Sequence, residues 1–171
     1  MKRIVSILAI LAVIVVSPFA HAEGEPLSDA QINTILSNCE SAQIGMQRLQ
    51  QAEKPTRINR GYLYESTLKL MVNLNSRAAQ QNLDAAELLT VTSEYEKVLK
   101  QFSTAYTTYD DSMSALVKMN CREEPTTFYD QLVETRNKRA ELHAKIVALD
   151  NLLNRYQTGL DSIKKLVAED R

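Results

Sequence analysis

The chain has few of the residues that break helices or shape loops. Its 171 residues include four glycines, four prolines, two cysteines and no tryptophan, and aromatic residues make up only 6% of the chain. No segment alternates apolar and polar residues between turn residues, the pattern that predicts a β-strand. The composition therefore favours long helices with few loops, and loops are where catalytic groups concentrate.

Residues that carry catalytic or metal chemistry are equally scarce. After residue 22 the only histidine is His143, and the chain contains no Gly-rich phosphate loop and no G-x-S-x-G motif. The adjacent carboxylates of Asp110-Asp111 and Glu123-Glu124 diverge around a helix. A net charge of −1 with both signs interspersed argues against nucleic-acid binding, which needs a clustered basic face. We predict a protein that is not an enzyme and that has no catalytic residue, cofactor or metal.

Residues 1–22 have the features of an export signal. Lys2-Arg3 forms a basic start, residues 4–16 are almost wholly apolar, and Ala20-His21-Ala22 supplies the small residues of a signal-peptidase site. Because the apolar segment is shorter than the ~20 residues that span a bilayer, we predict cleavage rather than an uncleaved membrane anchor. Residues 23–171 are then expected to form one domain in the periplasm, at the cell surface or outside the cell.

Apolar residues recur about every 3.5 positions through the rest of the chain. One series runs from Leu88 to Met119, and another runs from Phe128 to Val167 without a skip. Two further series precede them, of which the second contains Leu63, Thr67, Leu70 and Leu74 beside a second apolar face of Tyr64, Leu68 and Met71. These repeats predict an all-α fold, a long antiparallel coiled-coil-like bundle. The doubled face suits a helix that touches two neighbours.

Pro55 leaves two architectures open. It can kink one long helix, which gives three helices at about residues 29–81, 85–120 and 126–169, or it can end a helix, which gives a four-helix up-down bundle. Proline inside a helix costs ~3 kcal/mol, which favours the second architecture. The apolar repeat, however, can be followed straight through the proline by way of Glu53, Thr56, Arg60 and Leu63.

Cys39 and Cys121 favour the three-helix architecture. In an oxidising compartment two thiols are expected to form one disulfide, which requires Cα atoms roughly 4.4–6.8 Å apart. At 1.5 Å per residue from a turn near residue 83, Cys121 lies about 57 Å along the bundle. Cys39 lies about 66 Å along it on a continuous helix but only roughly 18 Å along it after a hairpin at Pro55. We predict an intramolecular disulfide and three helices; an intermolecular disulfide would instead give a linked dimer.

Polar residues interrupt all three apolar series at one predicted height of the bundle. Pairing the helices about their turns brings the polar stretch at Pro55 beside residues 107–111 and beside Thr135 and Arg139. Buried charges must be paired, and a paired polar layer can fix helix register at a cost in stability. We predict such a layer, with solvated side chains or a ligand site as the alternatives. Its candidate members are Glu53, Arg60, Asp110, Asp111 and Arg139.

The stretch from Arg57 to Glu65, R-I-N-R-G-Y-L-Y-E, resembles one found in a family of bacterial proteins. The resemblance extends over most of the chain after residue 22 and includes Lys69-Leu70-Met71, Leu74-Asn75, Tyr109-Asp110, Cys121, Pro125 and Phe128-Tyr129-Asp130. The family comprises uncharacterised, secreted helical proteins of candidate-phyla bacteria, of the Patescibacteria and Saccharibacteria-like type. The resemblance implies export from a bacterial cell, and it carries over no activity, ligand or catalytic residue.

These observations predict an exported helical rod without enzymatic activity. Its expected role is that of a scaffold, spacer, adhesion element or envelope-interaction module. Its expected partner is a protein or an envelope component, with self-assembly into a homo-oligomer as a further outcome and a membrane only if the export signal stays uncleaved. The alternative is a periplasmic chaperone-like or secretion-accessory protein, which would bind unfolded clients along an apolar surface.

Overall fold

The part of the protein that the structure describes consists of three long helices packed antiparallel. The computed structural model describes residues 26–169, and it contains helices α1 (Asp29–Gln80), α2 (Ala86–Lys118) and α3 (Pro125–Glu169) and no strand in that range. The predicted all-α, three-helix fold is confirmed. Because α1 continues through Pro55, the four-helix alternative is wrong. The predicted export signal, residues 1–22, lies outside the described residues.

Local sequence signals explain both ends of α1. Ser28 and Gln31 form the reciprocal capping box that their spacing predicts. At the other end Asn82 has φ 54°, the left-handed conformation that ends a helix. The Asn82 N–H donates to the Ala79 carbonyl and the Leu83 N–H donates to the Ala78 carbonyl, which is the hydrogen-bond pair of a Schellman motif. Asparagine is one of the few residues besides glycine that adopts this conformation readily.

Asp84 and Glu87 have the spacing of a capping box before α2, but no such box forms. The N-cap position of α2 is Ala85, and the Asp84 carboxylate accepts a hydrogen bond from the backbone of Ala86 instead. Glu87 therefore lies one position too early in the helix to bond back to the cap. Its carboxylate pairs with Arg155 of α3 at 2.9 Å, so the residue joins two helices rather than capping one.

Helix α2 lies between the other two and buries the greatest number of large side chains. It packs against both α1 and α3, whereas α1 and α3 contact each other much less. Its core residues follow the predicted repeat through Leu88, Val91, Tyr95, Phe102 and Tyr109. Leu142, Leu149 and Tyr156 face them from α3. A T-shaped contact between Tyr64 and Phe102, with ring centres 5.3 Å apart, joins α1 to this core.

The buried face of α1 shifts by four residues at Pro55. Before the proline the side chains toward the core are Cys39, Met46 and Glu53; after it they are Arg57, Tyr64, Met71 and Ala78. Each set repeats every seven residues, and the insertion of four residues between them is a stutter, which locally unwinds a coiled coil. The uninterrupted repeat through Thr56, Arg60 and Leu63 is therefore wrong. These three residues are exposed, Leu63 to 62%.

The stutter leaves the second apolar face of α1 without a partner helix among the described residues. Leu63 and Leu70 are each 62% exposed, and Leu74 is 38% exposed. We call these three residues the apolar stripe. They follow Arg60 at spacings of three, seven and four residues, so all four lie on one face of α1, on the side toward α3.

A disulfide joins Cys39 of α1 to Cys121 in the turn between α2 and α3, as predicted. The Cα atoms are 5.7 Å apart, and the bridge closes a sequence separation of 82 residues. Both cysteines are buried. A disulfide of this kind points to an oxidising compartment.

The helix glycines provide a test of this packing. Gly45 has no atom near its missing Cβ, so Gly45→Ala is expected to raise the free energy of unfolding by about 1 kcal/mol through helix propensity. A Cβ on Gly159 would lie 2.7 Å from Leu88 Cδ2, a buried core atom, so Gly159→Ala should yield no such gain. Urea unfolding of both variants measures the difference. Equal gains would contradict the close approach of α3 to Leu88.

Candidate functional site

A cluster centred on Glu53 joins all three helices. The Glu53 carboxylate accepts hydrogen bonds from Arg57 at 2.6 Å, from the Tyr109 hydroxyl of α2 at 2.8 Å and from Arg139 of α3 at 2.5 Å. The Arg57 guanidinium also lies over the Tyr109 ring, 4.5 Å from its centre, in a cation–π contact. We call these four residues the Glu53 cluster. It connects α1, whose core-facing residues change phase here, to both of its neighbours.

Burial makes the pairing within the cluster energetically important. The Glu53 side chain is 18% exposed and the Arg57 side chain 12%, whereas the Arg139 side chain is 51% exposed. The Arg57 Nε is buried and has no hydrogen-bond partner among residues 26–169. An unpaired buried N–H costs stability, so the cluster is only partly satisfied. Such an arrangement is a weak source of net stability and a strong constraint on register.

The cluster shifts the pKa of two of its members in opposite directions. Burial alone would raise the pKa of Glu53, but hydrogen bonds from Arg57 and Tyr109 and the charges of both arginines hold it below the ordinary value of 4.5. Burial, followed by the hydrogen bond to the Glu53 carboxylate, raises the pKa of Tyr109 to about 12. At neutral pH the glutamate is therefore charged and the tyrosine is a neutral donor.

The structure brings some of the predicted polar-layer residues together and leaves others apart. The Glu53 and Arg139 side chains form an ion pair. At the edge of the cluster, Asp110 Oδ2 lies 3.8 Å from Lys54 Nζ. Arg60 and Asp111 are exposed and form no ion pair with the described residues. Asp111 follows Tyr109 by about 200° around α2, which turns it away from α1.

Polar contacts flank the Glu53 cluster on both sides. Toward the disulfide, the Ser112 and Thr135 hydroxyls are 2.8 Å apart, and Gln131 donates to Ser112 at 2.9 Å. Farther from the disulfide, the Asn75 amide donates to Thr92 at 2.8 Å. The Tyr156 hydroxyl lies 2.8 Å from the Asn75 oxygen, which again connects three helices. The polar residues of these two flanking groups are thus hydrogen-bonded to one another.

An open groove of about 700 Å³ lies beside the Glu53 cluster, between α1 and α3. Its charged lining residues are Glu53, Arg57, Arg60, Arg136 and Arg139, so four arginines face one carboxylate. His143 and several small or apolar residues complete it. We call Arg57, Arg60, Arg136, Arg139 and His143 the basic groove. It is a concentration of positive charge on a chain whose net charge is −1.

The basic groove offers binding groups rather than a set of paired catalytic groups. Guanidinium groups present forked donors that match carboxylates and phosphates. The lone carboxylate of Glu53 is already bonded to three donors. Among residues 26–169 no group of His, Cys, Asp and Glu side chains is placed to hold a metal ion. None of the helices in that range is both long and apolar enough to cross a membrane.

Acid should weaken the fold through Glu53. Because its folded pKa is below 4.5, the ionised carboxylate contributes stability above that pH, and this contribution is lost as the pH falls through the folded pKa. Glu53→Gln should therefore show a shallower loss of unfolding free energy below about pH 4.5. Glu141→Gln, at an exposed position, is expected to keep the wild-type slope. Urea unfolding at a series of pH values tests this, and identical slopes for Glu53→Gln and wild type would contradict it.

Comparison with known proteins adds no relative. The chain matches no protein-family model, no curated protein and no solved structure.

Proposed function

We propose that the protein is an exported, non-enzymatic helical module that binds another macromolecule along the side of the rod formed by α1 and α3. The observation that carries this proposal is the apolar stripe of Leu63, Leu70 and Leu74. Three leucines at helical spacing stay exposed on a helix whose neighbouring face is packed. Exposed apolar surface that follows one helix face is a common feature of protein-interaction sites.

Two observations support export. The disulfide between Cys39 and Cys121 is stable in an oxidising compartment, and residues 1–22 have the sequence features of a cleavable signal. The resemblance to secreted helical proteins of candidate-phyla bacteria agrees with both. In this proposal the rod acts as a scaffold, spacer, adhesion element or envelope component.

A chaperone-like or secretion-accessory role is the second candidate, and the same stripe supports it. A chaperone would hold many unfolded clients on Leu63, Leu70 and Leu74, whereas a module would hold one partner. A photo-crosslinking amino acid placed at Leu70 in the native cell distinguishes them. Leu89, 56% exposed on α2 away from the α1–α3 side, is the matched control position.

A module predicts one or two defined adducts at position 70 and none at position 89. A ladder of many adducts that grows when unfolded proteins accumulate would favour the chaperone candidate. Absence of adducts at both positions would overturn the proposal of a binding surface on α1.

A further inference from the structure

The basic groove and the apolar stripe form one continuous surface. Thr56 and Arg60 line the groove, and Leu63, Leu70 and Leu74 continue from them along the same face of α1. From residue 56 to residue 74 this face is about 27 Å long. The surface is therefore positively charged at its groove end and apolar from Leu63 to Leu74, and Arg77, the next residue along this face, lies beyond its apolar end.

Helix α3 forms the opposite edge of that surface and contributes side chains of the same two kinds. Arg136, Arg139 and His143 line the basic end. Continuing along the same face of α3, Val147 and Leu153 are 43% and 39% exposed. Asp150, between these two apolar residues, is the acidic residue of this edge. α1 and α3 contact each other far less than either contacts α2, and beneath the apolar end of this surface the buried Tyr156 hydroxyl of α3 joins them through hydrogen bonds to the Met71 carbonyl and to Asn75.

The spacing of the stripe indicates what shape fits it. Leu63, Leu70 and Leu74, with Thr67 between them, follow the steps of three and four residues on which another helix packs. A helix laid between α1 and α3 would complete a four-helix arrangement and cover both apolar edges. At about 1.5 Å per residue, a helix of roughly 18 residues spans the surface.

Charge selects the chemistry of the occupant. Arg60 and Arg136 line the basic end and form no ion pair with residues 26–169. Carboxylates brought opposite them would gain forked, charge-assisted hydrogen bonds. The occupant is therefore expected to be acidic at one end and apolar at the other.

A second copy of this chain does not meet that requirement through the same face. Antiparallel pairing of two stripes that places Leu63 opposite Leu74 also places Arg60 opposite Arg77. Like charges opposed in this way are destabilising. A partner with acidic residues at that level avoids the repulsion.

We propose that the groove between α1 and α3 binds an acidic amphipathic helix of a partner protein. The partner's apolar residues would pack on Leu63, Leu70 and Leu74, and its carboxylates would pair with Arg60 and Arg136. The inference rests on the proposed function, since it names the chemistry of the partner that the module binds.

The test uses purified, disulfide-bonded protein and two fluorescent synthetic peptides of about 18 residues, the length that spans the surface. Each peptide carries leucines at heptad positions in one half and glutamates in the other, with the acidic half at the amino end in one peptide and at the carboxyl end in the other. We expect one of the two to bind, as measured by fluorescence anisotropy. Its counterpart with lysine in place of glutamate should bind at least tenfold more weakly, because charge reversal replaces attraction by repulsion.

Protein variants localise the binding. Leu70→Ser is expected to weaken binding of the acidic peptide about tenfold, because buried apolar area is lost. Leu89→Ser on α2 should leave the affinity for this peptide unchanged. Arg60→Glu with Arg136→Glu should abolish measurable binding. Lys69→Glu with Lys118→Glu changes the net charge equally at exposed positions outside the groove and should have little effect. All six substituted positions in these four variants are exposed, and thermal unfolding of each variant verifies that it is folded.

Three outcomes would overturn the inference. They are equal binding of the acidic and lysine peptides, unchanged binding by the Leu70→Ser variant, and failure of both acidic peptides while anionic phospholipid vesicles bind through Arg60 and Arg136. The last outcome would assign the groove to a lipid surface. In each case crosslinks at Leu70 in the native cell would leave the proposed binding module standing, so failure of the inference is distinguishable from failure of the function.

Discussion

Replacing both Cys39 and Cys121 with alanine is expected to lower the free energy of unfolding by about 4–5 kcal/mol. The bridge closes a sequence separation of 82 residues, for which the loss of chain entropy in the unfolded state amounts to about 4.5 kcal/mol. Domains of this size are stable by only about 5–15 kcal/mol in total. The loss should appear in urea unfolding followed by circular dichroism and as a fall in Tm of roughly 10–18 °C.

The loss should be concentrated in the first half of α1. Between Asp29 and Tyr64, Cys39 is the only buried residue, so this part of the helix is held by the bridge, the Glu53 cluster and hydrogen bonds from Gln43 to Met119 and from Gln50 to Ser114. Hydrogen exchange in the double variant should therefore rise most before Pro55, while the core of α2 stays protected. Reduced wild-type protein is the control, because it lacks the bond but keeps both side chains. If the free energy of unfolding fell by less than about 1 kcal/mol both in the double variant and in the reduced wild-type protein, the expected entropic contribution of the bridge would be contradicted.

The fold of α2 and α3 was predictable because each buries one continuous face. Their apolar repeats run without a skip, and most of the large side chains on them, Tyr95 and Leu142 among them, are buried, although Leu153 on the α3 repeat is 39% exposed while its neighbour Leu152 is buried. The disulfide added a distance constraint that the helical pattern could not supply. Together they distinguished three helices from four, although the local cost of Pro55 favoured a break.

The phase of α1 was not predictable from the repeat alone. The helix has two apolar faces, and the one richer in leucine, with Leu63 and Leu70, is the one that remains exposed. The buried face contains Asn75, which composition would place outside, and its amide is satisfied by Thr92 and Tyr156. Hydrophobicity identifies a face that can pack, but which of two faces packs depends on partners from distant segments.

The Glu53 cluster shows the same limit at the level of the site. Matching heights along the helices placed Glu53, Arg139 and the stretch around Asp110 at one level, and in the structure Glu53 contacts Arg139 and Tyr109; the same matching named Arg60 where Arg57 makes the contact. The stutter at Pro55 moves the buried position by four residues, from Glu53 to Arg57. If Tyr64 and Met71 are taken as the core residues after the proline, the seven-residue spacing places Arg57 on the buried face. This second apolar face of α1 was the sequence signal from which Arg57 could have been identified.

Removing Glu53 is expected to lower the free energy of unfolding by a large fraction of the total. Glu53→Ala leaves Arg57 buried beside an aromatic ring without its carboxylate partner, and breaking a buried pair from one side costs about 3–5 kcal/mol. Arg139→Leu is the matched comparison: it removes a half-exposed partner of the same carboxylate and should cost no more than about 1 kcal/mol. Equal losses in urea unfolding of the two variants would contradict the difference in burial.

Replacing the cluster as a whole separates stability from register. Glu53→Leu, Arg57→Met and Tyr109→Phe together remove the buried charges and keep apolar volume, so the triple variant should be as stable as wild type or up to about 4 kcal/mol more stable. If the cluster fixes the register of α1, this variant should nevertheless pair its helices less uniquely, because apolar side chains tolerate a shift that the Glu53 carboxylate does not. Mispairing would separate Cys39 from Cys121, and mass analysis under non-reducing conditions would then detect free thiols or linked dimers. A triple variant that forms the intramolecular bridge completely, with a single set of amide resonances, would show that the disulfide and the apolar core determine the register without the charges.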